Sequence, residues 1–198
     1  VSGTYAVTAT AGGDITDSGV LAITGTSTFR VAGGQSVILN ESSTFATVTF
    51  TSPGTIASVE INDSNALDLG ALTVASNLTV TAGGAVTNSD TLVVPGTATI
   101  SASGRDVTLN TATNNFGTVA ITGADVSIRD TNAIVLGTST VSGTYTVTAT
   151  GPVTQSGALA ITGVATIEAG SGNNITLGDT SNNFQAAVII TSGNNVTL

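Results

Sequence analysis

The sequence predicts an all-β chain coiled as a single-stranded parallel β-helix, and three observations carry that expectation. Composition is the first. The 198 residues include 38 Thr and 24 Gly, and 40% are apolar, mostly Val, Ile, Leu and Ala. Thr, Val and Ile suit a pleated, half-buried surface. Lys and Met are absent and Gln, Glu and Arg are scarce, which leaves few good helix formers. The second observation is a large repeat. VSGTYAVTAT at 1–10 returns as VSGTYTVTAT at 141–150 with nine identities in ten, and GVLAITG at 19–25 returns as GALAITG at 157–163. The third is a smaller period within it: Asn173-Asn174-Ile175-Thr176-Leu177 soon returns as Asn194-Asn195-Val196-Thr197-Leu198.

The small motif can be followed through Ile15, Val37, Val59, Val86, Val107, Val126, Val153, Ile175 and Val196, at steps of 22, 22, 27, 21, 19, 27, 22 and 21. The large repeat therefore spans 71 positions from Ile15 to Val86 and 67 from Val86 to Val153. Six copies carry an apolar pair around a central residue: Val37/Leu39, Val59/Ile61, Val107/Leu109, Val126/Ile128, Ile175/Leu177 and Val196/Leu198. Side chains alternate across a strand, so each pair faces inward together. These twelve residues are the expected structural core ladder.

Such a short period, holding about three short strands, is the mark of a solenoid in which each turn pairs with the turns above and below. The expectation is about nine rungs, three to each large repeat, in a rod about 43 Å long at strand spacing. In the last repeat one wall is assigned Val147, Ile167 and Ile190, a second Val153, Ile175 and Val196, and a third Leu159, Ile161 and Phe184. The large repeats, at approximately 1–70, 71–137 and 138–198, join without a Pro-rich or charged linker. They are drawn as one continuous domain, 1–198. Corners fall where Asn, Asp and Gly cluster, at Asn40-Glu41, Asn62-Asp63, Asn110-Thr111, Arg129-Asp130 and Gly178-Asp179, because these residues tolerate tight turns. A string of immunoglobulin-like sandwiches is the rival. It usually requires about 100 residues per module and a large aromatic core residue, and this chain has no Trp.

Charge narrows the partners. Twelve Asp and Glu meet only Arg30, Arg105 and Arg129, for a net charge of −9. Nucleic acid and anionic membrane surfaces call for basic footprints. No apolar run approaches the roughly 20 residues of a membrane helix.

The chain holds no His, Cys or Lys, so the usual nucleophile–base pairs and zinc ligands are missing. No cofactor is implied. Asp106 and Asp125 precede equivalent strands and are the weak candidates for a paired carboxylate or a Ca²⁺ ligand pair. The equivalent flanking positions are Ala85 and Pro152, so no acidic ladder continues and two solvated corner residues is the plainer expectation. Arg129 beside Asp130 is read as a local charge offset. Thr-x-Thr pairs such as Thr26/Thr28, Thr47/Thr49, Thr79/Thr81, Thr97/Thr99 and Thr146/Thr148 raise an ice-binding wall as a minor alternative, with Thr166/Glu168 and Ile189/Thr191 breaking the row. Asn-x-Ser/Thr triplets at Asn40, Asn62, Asn77, Asn174 and Asn195 arise readily by chance in such a composition.

The phrases LGTSTVSGTYTVTATGPVTQSGALAITG (136–163) and ATIEAGSGNNITLGDTSNNFQAAVIITSGNNVTL (165–198) resemble the repeats of filamentous-haemagglutinin-like proteins, large secreted bacterial adhesins of the two-partner-secretion type. The same style covers essentially all of the chain. The resemblance implies a right-handed parallel β-helix, secretion to the cell surface or beyond, and a stiff stalk. It supplies no catalytic, cofactor or metal residue. The functional expectation is a structural and adhesive rod segment rather than an enzyme. Its partners would be the same chain, end to end or side by side, and cell-surface glycans or matrix, without nucleic acid or membrane insertion. A polysaccharide-active β-helix enzyme is the alternative. Leu198 matches Ile61 and Ile128, so the continuing sequence is expected to read close to x-Asp-x-Asn-Ala-(Leu/Ile)-x-Leu-Gly. Val1 matches Val141, so a Leu-Gly pair is expected a few residues before it.

Overall fold

The computed structural model describes residues 2–198; Val1 and its match to Val141 lie outside them. The described residues form only strands, turns and irregular chain, and every strand pairing is parallel. Ten strands make a front sheet: Tyr5–Ala9, Thr26–Val31, Thr47–Thr51, Leu67–Leu69, Val86–Asn88, Val107–Leu109, Val126–Asp130, Tyr145–Ala149, Ala165–Glu168 and Val188–Ser192. A back sheet of 14 strands runs from Ile15–Thr16 to Val196–Thr197. The chain visits the front sheet once per turn, so this is a parallel β-helix. Ten front strands at about 4.8 Å spacing span about 43 Å from first to last.

The rung count is thus ten, not nine, and the stacking differs from the expected single ladder. Ile15, Val37 and Val59 do stack, on the back sheet, but Leu78 follows them. Val86, Val107 and Val126 stack on the front sheet between Leu67 and Tyr145. Val153, Ile175 and Val196 return to the back sheet. The two steps of 27 are crossings from one sheet to the other. Along the front sheet partner residues are always 19–24 apart in sequence. The wall assignments within the last repeat stand: Val147, Ile167 and Ile190 pair in series, and Ile161 pairs with Phe184.

The crossing has a simple arithmetic cause. Tyr5 and Tyr145 are matching residues 140 apart in sequence and seven strands apart on the front sheet. A turn therefore takes about 20 residues on average, at the short end of solenoid repeats. A large repeat covers about three and a half turns, not three. The middle copy of the same segment, Leu78-Thr79-Val80-Thr81-Ala82, falls half a turn away on the back sheet. Both sheets offer the same choice, one face to the core and one to water, so a motif with the right alternation fits either.

The core is a continuous column. Of the twelve expected ladder residues, the ten from Val37 to Leu177 are buried, at no more than 2% exposure each. The last two, Val196 and Leu198, are 43% and 60% exposed. At the lower turns Phe29 meets Tyr5, Phe45 and Phe50 with ring centroids 6.1–6.3 Å apart; higher turns are filled mostly by Val, Ile and Leu, with Phe116 and Tyr145 among them. Burying one such side chain is worth roughly 1.5–3 kcal/mol. Close stacking of corners demands Gly at two matching places. A Cβ on Gly84 would run into the amide of Ala66, and one on Gly151 would sit 2.6 Å from the amide nitrogen of Ala133.

Candidate functional site

The two aspartates singled out by sequence lie on adjacent turns at one corner, ahead of the front strands. The Asp125 N–H donates to Asp106 Oδ1 at 3.2 Å. Asp125 Oδ1 in turn accepts the Thr144 N–H at 2.7 Å and the Thr144 hydroxyl at 2.9 Å. Main-chain ladders break where the chain turns, leaving amides that need another acceptor. Each Asp supplies one to the turn above. The Thr144 amide and then its hydroxyl hold the Asp125 carboxyl below its ordinary value, with desolvation opposing. The same corner device recurs at Asp14 with Ser36, Asp17 with Asn40, Asn77 with Thr97 and Asn174 with Asn195. At Asn77 and Asn174 an amide oxygen fills the place that a carboxylate oxygen fills at the others, so the corner needs only an acceptor. Among the described residues no three His, Cys, Asp or Glu gather as a metal site. The groove between Thr51 and Thr73, lined also by Phe50, Ser52, Ile56 and Leu72, holds no titratable side chain.

A second polar device lies inside. Asp63 and Asp130 are each 1% exposed. Asp63 accepts the amides of Phe45 and Asn65, both at 2.6 Å. Asp130 accepts those of Phe116 at 2.6 Å and Asn132 at 2.8 Å. Burial raises both carboxyls above the ordinary 3.8, against the lowering effect of these amides. A third device caps a leucine amide in each large repeat: Leu21 on Ser43, Leu92 on Asn114 and Leu159 on Asn182. Each of these polar groups serves the fold.

Comparison with known families bears on this geometry. A family described as repeats of unknown function, DUF5649, matches at 1–52, 57–122 and 123–191. The chain belongs to the DUF5649 repeat family. Three consecutive matches agree with a large repeat present three times, and they cut the periodic chain at another phase than the divisions drawn from sequence. No curated protein matches the chain, and no solved structure does.

Within this DUF5649 chain the burial of the two aspartates is not foreseen by sequence reasoning, which places Asn62-Asp63 and Arg129-Asp130 at corners. Asp130 and Arg129 point to opposite faces of one strand, so Arg129 does not offset Asp130; the Phe116 and Asn132 amides do. The signal was present in the alternation. Val59, Ile61 and Asp63 share one parity, as do Val126, Ile128 and Asp130. The Thr-x-Thr pairs also part company: Thr26/Thr28, Thr47/Thr49 and Thr146/Thr148 lie on the front sheet, whereas Thr79/Thr81 and Thr97/Thr99 lie on the back. They do not share one wall.

Proposed function

We propose that this chain is a rod segment of an extracellular bacterial fibre or surface adhesin, acting as a stiff spacer. The observation that carries the reading is continuity. A front sheet of ten strands and a back sheet run side by side along one unbroken apolar column. Bending such a rod must open ladder hydrogen bonds on one side and unpack the core on the other. Secretion and adhesion rest on the resemblance to haemagglutinin-like repeats, and a surface of Thr, Ser and Asn with no Cys suits an exported chain. Among the described residues no helix is long and apolar enough to cross a membrane.

Duplication tests the spacer. Residues 5–144 make seven turns and return the chain to Tyr145, the match of Tyr5. A variant reading 1–144 and then 5–198 should lengthen by about 34 Å in small-angle scattering, seven turns at about 4.8 Å. A gain well short of that, or a broad distribution of lengths, would show a chain that does not act as a rigid spacer.

A further inference from the structure

We infer that the outer face of the front sheet binds a second copy of the chain, face to face and with the rod axes antiparallel. The charge pattern of that face is the first reason. Its ten strands carry four outward charges: Arg30 on the second strand, Asp68 on the fourth, Arg129 on the seventh and Glu168 on the ninth. The face is formally neutral. The other ten acids meet only Arg105, so the whole net charge of −9 lies elsewhere on the molecule. Electrostatic repulsion between copies is therefore low at this face.

The order of the four charges selects the geometry. In an isologous dimer with its two-fold axis along the strands, the second strand meets the ninth and the fourth meets the seventh. Arg30 then faces Glu168 and Arg129 faces Asp68, each pair occurring twice, and no like charges meet. A two-fold along the rod axis would instead bring each strand to its own counterpart, Arg30 to Arg30 and Asp68 to Asp68. Traced through the register, Arg30 and Arg129 each lie two places farther along the strand than their opposite carboxylates. Both offsets run the same way and measure about 6.6 Å, within the reach of an arginine side chain. Neither arginine has a side-chain hydrogen bond or ion pair among the described residues.

The remaining surface allows close approach. Thr47, Thr87, Thr108, Ser127, Thr146 and Thr166 stand in one outward row with Asp68, on successive strands. Short side chains let two sheets pack at about 10 Å. Ile189, 45% exposed, sits beside Thr166 on this face and would be covered. Ten strands averaging about 15 Å in length offer about 700 Å² per copy, close to the roughly 800 Å² of a standard interface. Asp68 is held in place for its partner by the hydroxyls of Thr87 at 3.1 Å and Ser89 at 2.7 Å.

The test is sedimentation equilibrium with small-angle scattering on the intact chain, at low and high salt. The expected result is a monomer–dimer equilibrium, weakened by salt, whose dimer is thicker but no longer than the monomer. Arg30→Glu should raise the dissociation constant about tenfold or more. Adding Glu168→Arg to it should restore the affinity to within about threefold. Both positions are exposed, so unfolding temperatures should hold and show that the variants are intact. A chain that stays monomeric up to about 1 mM, a dimer of doubled length, or a double variant that fails to recover would each overturn the inference.

Discussion

The first and middle repeats place matching residues on opposite sheets, and their structures differ less than that suggests. Asp63 lies on the back sheet and Asp130, its counterpart one large repeat later, on the front. Each is buried at the end of a strand, and each holds the amide of a buried Phe and of the residue two places on. The difference teaches what a position in this fold consists of. A side chain is specified by whether it points in or out and by its distance from the corner. Which sheet it belongs to adds almost nothing, because both sheets are parallel and both bury one face.

That equivalence can be broken most severely in the core. Ile61→Asp on the back sheet and Ile128→Asp on the front each bury an unpaired charge at a site 1% exposed, and each should cost more than about 4 kcal/mol. Leu177→Asp, fully buried, should behave alike, whereas Thr176→Asp, its outward neighbour, should cost under about 0.5 kcal/mol. Thermal unfolding decides the matter: a clear gap between the two isoleucine variants would mean that the sheet matters, and equal shifts for Leu177 and Thr176 would mean that parity does not.

Removing the polar devices should cost less. Asp63→Ala and Asp130→Ala each leave a buried Phe amide without its acceptor, at about 2–3 kcal/mol apiece. They lie several turns apart, so the double variant should lose the sum. Their pH signature has a definite sign. Both carboxyls hold a proton more tightly folded than unfolded, so their contribution is complete below the ordinary 3.8 and is lost as pH rises through their raised folded values. Asp125 runs the other way, contributing above 3.8 and losing its contribution as pH falls through its lowered value. Carboxyl titration by NMR should place Asp125 on one side of 3.8 and the buried pair on the other. Finding all three together would contradict the environments described.

Gly84→Ala and Gly151→Ala probe matching corners that lead into opposite sheets. Each pushes a methyl into the amide of the turn below and should cost about 1–3 kcal/mol, equally at the two places. The smallest effect is expected at Tyr145. Its hydroxyl is buried beside Ser139 without a well-formed hydrogen bond, because the Ser139 hydroxyl already donates to the Gly137 carbonyl and accepts the Ile121 N–H; burial pushes the ionisation of Tyr145 up, with Ser139 opposing. The matching residue in the middle repeat is the apolar Leu78. Tyr145→Phe should therefore be neutral or stabilise by up to about 1 kcal/mol; a loss beyond that in thermal unfolding would reveal a hydroxyl contact.

Much of the fold was legible in the residues. Strand class follows from the Thr, Val and Ile content, the inward set from alternation, and the solenoid from the short period. The local pairing of Val153, Ile175 and Val196 could be read directly, because the two steps between them match one turn each. The corner role of Asp106 and Asp125 was only half legible: their adjacency follows from the period, but the amides they accept appear only once the corner is built. Asp63 and Asp130 were assigned to corners because an Asp after an Asn or Arg resembles a turn, although their parity is that of the core.

By itself the sequence determined that the chain is a parallel coil of short strands, and which side chains face its interior. Those properties depend on alternation and composition, which are local. Only the tertiary structure decided that a repeat takes about three and a half turns, so that like segments lie on opposite sheets and four scattered charges fall on one face. The phase between sequence repeat and coil depends on how many residues each corner consumes. That number is set by how closely one turn packs on the next, at contacts such as Gly84 on Ala66 and Gly151 on Ala133, and no local pattern encodes it.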